Sequence, residues 1–277
     1  MTISWLNGEF TDGTLTVDAH DRGFMLGDGL FETIAVVNHR PLWLAEHLQR
    51  MKRAAAELGI PFVAGLVERG VKAVLTKSSK KSEVLRVTLS RGVASRGLGS
   101  DGAKPTLLLT LDGFPAANLF QPCRLKVSTI RRNEFAPSSR LKSLSYIDGI
   151  LAAREVMGDA DDALMLNMAG AVASTTIANI FLLRKTALVT PALDQGVVAG
   201  ITRGVLLDNT VGVFEAKVEI RDLFMAEAVF LTNSLRFVRP VTHINGESLV
   251  TGSLEGLKDM LCTLARKQCG IDPRSLI

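Results

Sequence analysis

The chain has 277 residues, 47% of them hydrophobic and 22% charged, ordinary for a globular protein and enough to bury a sizeable core in one or two domains. Its 32 Lys and Arg against 28 Asp and Glu leave a formal net charge of +4; the densest basic block, Lys77 to Lys81, is broken by two serines and reads as a solvated turn, which argues against nucleic-acid binding. Three cysteines (Cys123, Cys262, Cys269) without CxxC spacing and four scattered histidines (His20, His39, His47, His243) argue against a disulfide framework or a metal centre. No apolar run approaches the roughly 18 residues of a membrane span, and the opening MTISWLNGEF has neither the basic nor the apolar region of a secretory signal. A reducing cytoplasm is the expected compartment.

The first 40 residues read as β structure. Ile3, Trp5 and Leu6 start a strand, Asn7-Gly8 is a hairpin signal, and Leu15 and Val17 alternate with threonines. Phe31 to Val37 is a further strand, turned by Asn38-His39-Arg40. Leu44, Leu48, Met51, Ala55 and Leu58 recur at helical spacing, and Gly59 closes that helix. A second helix follows over 64–76, then strands over 84–90 and 105–111. Residues 113–121, opening on Gly-Phe-Pro-Ala-Ala-Asn-Leu, form the best linker. It separates an N-terminal α/β domain (1–112) from a larger C-terminal domain (122–277). In the latter, strands are expected at 124–130, 163–167, 180–184, 187–189 and 228–232, and helices at 146–157, from 201, and at 254–267. Strands and helices mix without βαβ alternation, which points to an α+β fold in two domains.

Gly97-Leu-Gly-Ser-Asp-Gly102 matches GxGxxG. A dinucleotide site also needs a helix to begin there, and Ala-Lys-Pro-Thr-Leu-Leu-Leu is a strand start instead. The informative segments are diffuse until taken in order. They are Asp21-Arg-Gly-Phe-Met-Leu-Gly-Asp-Gly-Leu-Phe-Glu-Thr33, His47-Leu-Gln-Arg50, Arg140-Leu-Lys142-Ser-Leu-Ser-Tyr146, Gly170 to Phe181, Gly200-Ile-Thr-Arg203 and Leu231-Thr-Asn-Ser-Leu-Arg236.

In this order and spacing they resemble the class IV pyridoxal 5′-phosphate (PLP)-dependent aminotransferase family over residues 3 to 265. That family contains branched-chain and D-amino acid aminotransferases and 4-amino-4-deoxychorismate lyase. The resemblance implies the two-domain D-amino acid aminotransferase-like fold, a homodimer, and PLP held as an imine on Lys142. It gives the phosphate to Arg50, the Gly200-Ile201-Thr202 helix start and Ser234, and the phenolic oxygen to Tyr146. The chemistry fits these residue types: a desolvated lysine loses its proton near neutral pH, and helix amides with hydroxyls and a guanidinium suit a phosphate dianion.

One position departs from the family. Five residues before Asn179, where a glutamate usually holds the proton on the pyridine nitrogen, stands Ser174. A hydroxyl supplies no compensating charge, so the ring should be mostly neutral and transamination should suffer more than elimination. Phe31, where D-amino acid aminotransferases tend to have tyrosine, and the turn Ser90-Arg-Gly-Val-Ala-Ser-Arg-Gly97 also lean to the lyase. The expected reaction converts 4-amino-4-deoxychorismate to 4-aminobenzoate and pyruvate. An aminotransferase and a weakly active PLP-binding protein remain the alternatives. Phe31, Thr33, Arg91 and Arg96 are the candidate substrate contacts, with Arg91 and Arg96 equally suited to structural ion pairs.

Overall fold

The computed structural model describes residues 3–10, 14–100, 104–185 and 187–277, and its chain falls into two compact units. The first comprises residues 1–114, 141–146 and 265–276; the second comprises 115–140, 147–264 and residue 277.

The first unit contains β1 (Ile3–Leu6), β2 (Glu9–Phe10), α1 (Arg22–Leu26), β3 (Gly29–Val37), β4 (Arg40–Pro41), α2 (Leu44–Leu58), α3 (Ala64–Lys77), β5 (Ser82–Val93) and β6 (Lys104–Gly113). The strands form an antiparallel sheet in the order β2-β1-β6-β5-β3-β4. Strand periodicity of two sends Ile34, Val36, Leu85, Val87, Leu109 and Leu111 into a core against Met51 and Ala55 of α2 and Val67, Val71 and Val74 of α3. The intervening residues Phe31 and Thr33 of β3, and their register partners Thr88 and Arg86 of β5, occupy the opposite face.

The second unit contains β7 (Cys123–Val127), α4 (Ile147–Glu155), β8 (Asp162–Leu166), β9 (Val172–Thr175), β10 (Asn179–Arg184), β11 (Ala187–Pro191), α5 (Ile201–Asn209), β12 (Val213–Ala216), α6 (Ile220–Phe224), β13 (Ala228–Asn233), β14 (Phe237–Ile244), β15 (Glu247–Ser248) and most of α7 (Glu255–Cys269). Its sheet runs β12-β11-β10-β13-β14-β7-β8-β9, with β15 on β14. The pairs β11–β12, β14–β7 and β7–β8 are parallel and the others antiparallel. One face carries a core of Leu125, Leu164, Ile180, Leu182, Val229, Leu231 and Val241.

The expected hairpin, the helix ending at Gly59 and the main strands occur where the sequence puts them. Other features differ. Leu15 and Val17 lie outside any strand, because short alternation makes a strand only where an open edge can pair it. The five-residue α1 has too few turns to show a period; Asp21 caps it by accepting from Gly23 N at 2.8 Å, and Gly27 ends it in the left-handed region. The GxGxxG segment overlaps residues 101–103, outside the described residues, and β6 rather than a helix follows it. None of the described helices is long and apolar enough to cross a membrane. No metal-binding cluster occurs among the described residues.

Candidate active site

In the first unit, Lys142 is held by a bridge to β3. Its carbonyl accepts from Phe31 N at 3.0 Å, and Leu144 N donates to Gly29 O at 2.8 Å. Gly29 permits this close approach: a Cβ there would stand 2.6 Å from Leu89 O and 2.7 Å from the Leu144 Cδ1 methyl. Lys142 Nζ lies 4.2 Å from the centre of the Phe31 ring and 5.6 Å from that of Tyr146. The two rings meet edge to face, 5.3 Å apart. Thr33 follows two residues along β3, directly across from Arg86.

Arg86 is the residue that sequence reasoning missed. Its guanidinium carbon stands 4.1 Å from the centre of the same Phe31 ring. Burial pulls its pKa down, and among the described residues it has no carboxylate partner. A half-buried guanidinium without a carboxylate is suited to an anionic ligand. The sequence gives no signal for it; only the register places it across from Thr33.

Beneath these groups lies a buried triad. Glu32 accepts from Arg50 Nε at 2.8 Å and Arg50 Nη2 at 2.5 Å, and its Oε2 lies 2.6 Å from His47 Nδ1. Burial works to raise the Glu32 pKa, but Arg50 and His47 outweigh it and hold the carboxyl at about 2. Burial lowers the pKa of His47, against the pull of Glu32 and with help from the charges of Arg50 and Lys142. Glu32 and His47 stand within the motifs quoted from the sequence but carry no site role in that reading.

Arg91 sits apart from this cluster. Its guanidinium donates to both oxygens of Asp28 and to the carbonyls of Leu58 and Gly59. Arg22 clamps the other side of Asp28 and donates to the carbonyls of Gly97 and Leu98. Arg91 therefore forms the structural ion pair that its sequence context allows. Arg96 is exposed in the adjoining turn, where its carbonyl accepts from Ser100 Oγ.

The second unit holds the other expected residues. Gly200 precedes α5, so the first-turn amides at Ile201 and Thr202 have no helical acceptors of their own. A Cβ on Gly200 would stand 1.9 Å from Asn179 Oδ1, so glycine is required there. Asn179 Nδ2 in turn donates to Val198 O at 2.9 Å, shaping the approach to the helix. Thr202 and Thr232 are both buried, and their hydroxyls have no hydrogen-bond partner among the described residues. Thr232 pairs directly with Asn179 across β10 and β13. Ser234 lies in the next turn, which Asn233 Oδ1 fixes by accepting from Leu235 N and Arg236 N. Buried orphan hydroxyls near a helix start fit a phosphate-bearing cofactor, because such groups are costly unless a ligand meets them.

Ser174 is buried in β9. Its hydroxyl donates to Thr175 O at 2.9 Å and accepts from Arg132 Nη2 at 3.4 Å. The neighbour of Ser174 is thus a cation and not an acid, and Arg132 is a further residue that the sequence reading missed.

Comparison with known proteins places the chain in a family. The family model for amino-transferase class IV matches residues 29–244. The aminodeoxychorismate lyase of Bacillus subtilis (strain 168) is 30% identical, covering 91% of this chain and 89% of its own. The D-alanine aminotransferase of Bacillus licheniformis is 27% identical over 86% of each chain. The crystal structure of 4-amino-4-deoxychorismate lyase from Pseudomonas aeruginosa superposes with a TM-score of 0.84 at 28% identity, covering 97% of this chain and all of the other.

Proposed function

Because this chain belongs to the class IV aminotransferase family, whose members are PLP-dependent enzymes, we propose that it is a PLP-dependent lyase that converts 4-amino-4-deoxychorismate to 4-aminobenzoate and pyruvate. The observation that carries the reading is the amine of Lys142 and the guanidinium of Arg86 meeting one aromatic ring. That arrangement suits a substrate with an amine to be processed and a carboxylate to be anchored, and the likeness to lyases selects the reaction.

Lys142 is the amine that anchors PLP, and Tyr146 is the hydrogen-bonding partner for the cofactor's phenolic oxygen. Arg50, the amides at Ile201 and Thr202, and the hydroxyls of Thr202 and Ser234 are the groups for the phosphate. When bound, PLP supplies the sink for the electron pair left as a substrate carbon loses its proton. Lys142, freed when the substrate amine takes its place, would take the proton from the amine-bearing carbon. The bond from the ring to the enolpyruvyl oxygen would break, the proton held by Lys142 would pass to the departing group to give pyruvate, and aromatisation of the ring would drive the step. Arg86 holds a substrate carboxylate by charge-assisted donation, Thr33 adds a hydroxyl, and the rings of Phe31 and Tyr146 keep water from the amine. The protein works as a homodimer in the cytoplasm.

A substrate panel tests the proposal. The purified enzyme should release pyruvate and 4-aminobenzoate from 4-amino-4-deoxychorismate, with little keto acid formed from D- or L-amino acids. Keto-acid formation without 4-aminobenzoate would establish the second reading, an aminotransferase, which the likeness to D-alanine aminotransferase favours. Borohydride reduction and peptide mapping should label Lys142. A different labelled lysine would sink the assignment.

A further inference from the structure

Resting on the PLP reading above, which gives position 174 to the cofactor's ring nitrogen, we propose that Arg132 acts with Ser174 to hold that nitrogen unprotonated. The donor pattern at Ser174 carries the argument. Its hydroxyl proton goes to Thr175 O at 2.9 Å, which leaves Oγ as an acceptor, and Arg132 Nη2 approaches that oxygen at 3.4 Å. The group left to address a ring nitrogen is then the guanidinium, which only donates and stays charged at any working pH. A protonated ring nitrogen would present its own N–H and positive charge to a cation. An unprotonated nitrogen presents a lone pair to a donor.

Arg132 is fixed in place. Its main-chain N donates to Leu166 O at 2.8 Å, it bridges Asn167, and its Nη1 donates to Ser139 O at 3.5 Å. Two carboxylates on adjoining segments have other partners. Glu134 accepts from the amides of Met168 and Ala169. Asp162 accepts from Thr176 Oγ1 at 2.5 Å and from Ala163 N at 2.8 Å. Its second oxygen is buried without a partner, but alternation along β8 sends Asp162 to the face opposite Met165, and Met165 is the register partner of Ser174. Arg131, beside it in the chain, is a cation as well. The position thus pairs a hydroxyl with a cation, and the ring it meets is a neutral and weaker electron sink. That suits an elimination, whose leaving group departs at once, better than a transfer that must store the electron pair.

Ring-nitrogen ¹⁵N chemical shifts of the enzyme loaded with ¹⁵N-labelled PLP test this, with borohydride labelling of Lys142 run on the same sample. The wild type should show the shift of an unprotonated ring at neutral pH. In Arg132→Gln the protonation midpoint should move upward, by roughly tenfold or more in proton affinity, since a nearby like charge shifts a titration by that order. Arg132→Lys, which keeps the charge, should stay near wild type, and Ser174→Glu should move the shift toward the protonated form. A protonated ring in the wild type, or one midpoint shared by wild type and Arg132→Gln, overturns the proposal even when Lys142 carries the label. Failure of Lys142 to take the label overturns the PLP reading instead. Should Arg132→Gln not fold, the wild-type and Ser174→Glu shifts still decide.

Discussion

Phe31 is flanked by two basic side chains, Arg86 at 4.1 Å and Lys142 at 4.2 Å, for which different duties are proposed. If Arg86 anchors a carboxylate, Arg86→Gln should raise KM more than it lowers kcat, because that contact is made in the ground state as well as the transition state. Losing a charge-assisted hydrogen bond costs about 1.5–3 kcal/mol, so kcat/KM should fall roughly ten- to a hundredfold. Steady-state kinetics of the variant check this, and an unchanged KM would remove Arg86 from substrate binding. Glu32 makes the second prediction. Its folded pKa of about 2 lies below its ordinary 4.5, so its contribution is present above pH 4.5 and is lost as pH falls from there toward 2. His47 is also lowered, from 6.5, and its contribution starts to fade below that pH. Both act in one direction, so unfolding free energy should decline through the acid range. Glu32→Gln should flatten that decline in denaturant titrations run at several pH values, at a cost near neutrality of about 3–5 kcal/mol for breaking a buried pair. Lys142 could be singled out in the sequence because it stands in an ordered series of motifs. Arg86 could not, because a lone arginine in an alternating strand looks like a solvated face until the register sets it across from Thr33.

Helix α2 was legible residue for residue, since fifteen positions carry a full apolar stripe and a glycine ends it. The strands β9 and β14 were harder. The first has four residues, all buried, and the second follows a polar turn, so neither displays a clean alternation. Only the site elements with a distinctive start, such as Gly200 before α5, announced themselves. The start of that helix carries the third prediction. Thr202 keeps a buried hydroxyl without a hydrogen-bond partner among the described residues, which destabilises the protein until a ligand meets it. Thr202→Val should therefore leave the PLP-free protein as stable as wild type or more so, yet shrink the rise in Tm on adding PLP. Thermal melts with and without PLP measure both quantities. An unaltered PLP-dependent rise would separate this hydroxyl from the phosphate.

At the scale of the whole molecule, each unit exposes apolar side chains that a solvated surface does not explain. In the first, Phe24, Met25 and Leu26 are consecutive and exposed; in the second, Ile147, Ile150 and Leu151 of α4 are exposed. The proposed homodimer would bury such residues, so sedimentation at micromolar concentration should give twice the 29.8 kDa chain mass. An active monomer would refute it, and Phe24→Glu should shift the distribution toward monomer.

The bridge between Lys142 and β3 reaches further than the site. It joins positions more than a hundred residues apart, and the first unit draws on three separate stretches of chain, 1–114, 141–146 and 265–276. A ribosome therefore releases most of the second unit before the first can close around its lysine, and the loop being closed is long. Cutting the gene at the linker would yield two fragments of which neither is complete. The N-terminal piece would lack both the lysine and the terminal segment. Recombination that exchanges this half for a relative's would have to carry all three stretches together, and substrate preference in such a lineage is free to drift at single side chains but not by swapping the small unit as a cassette.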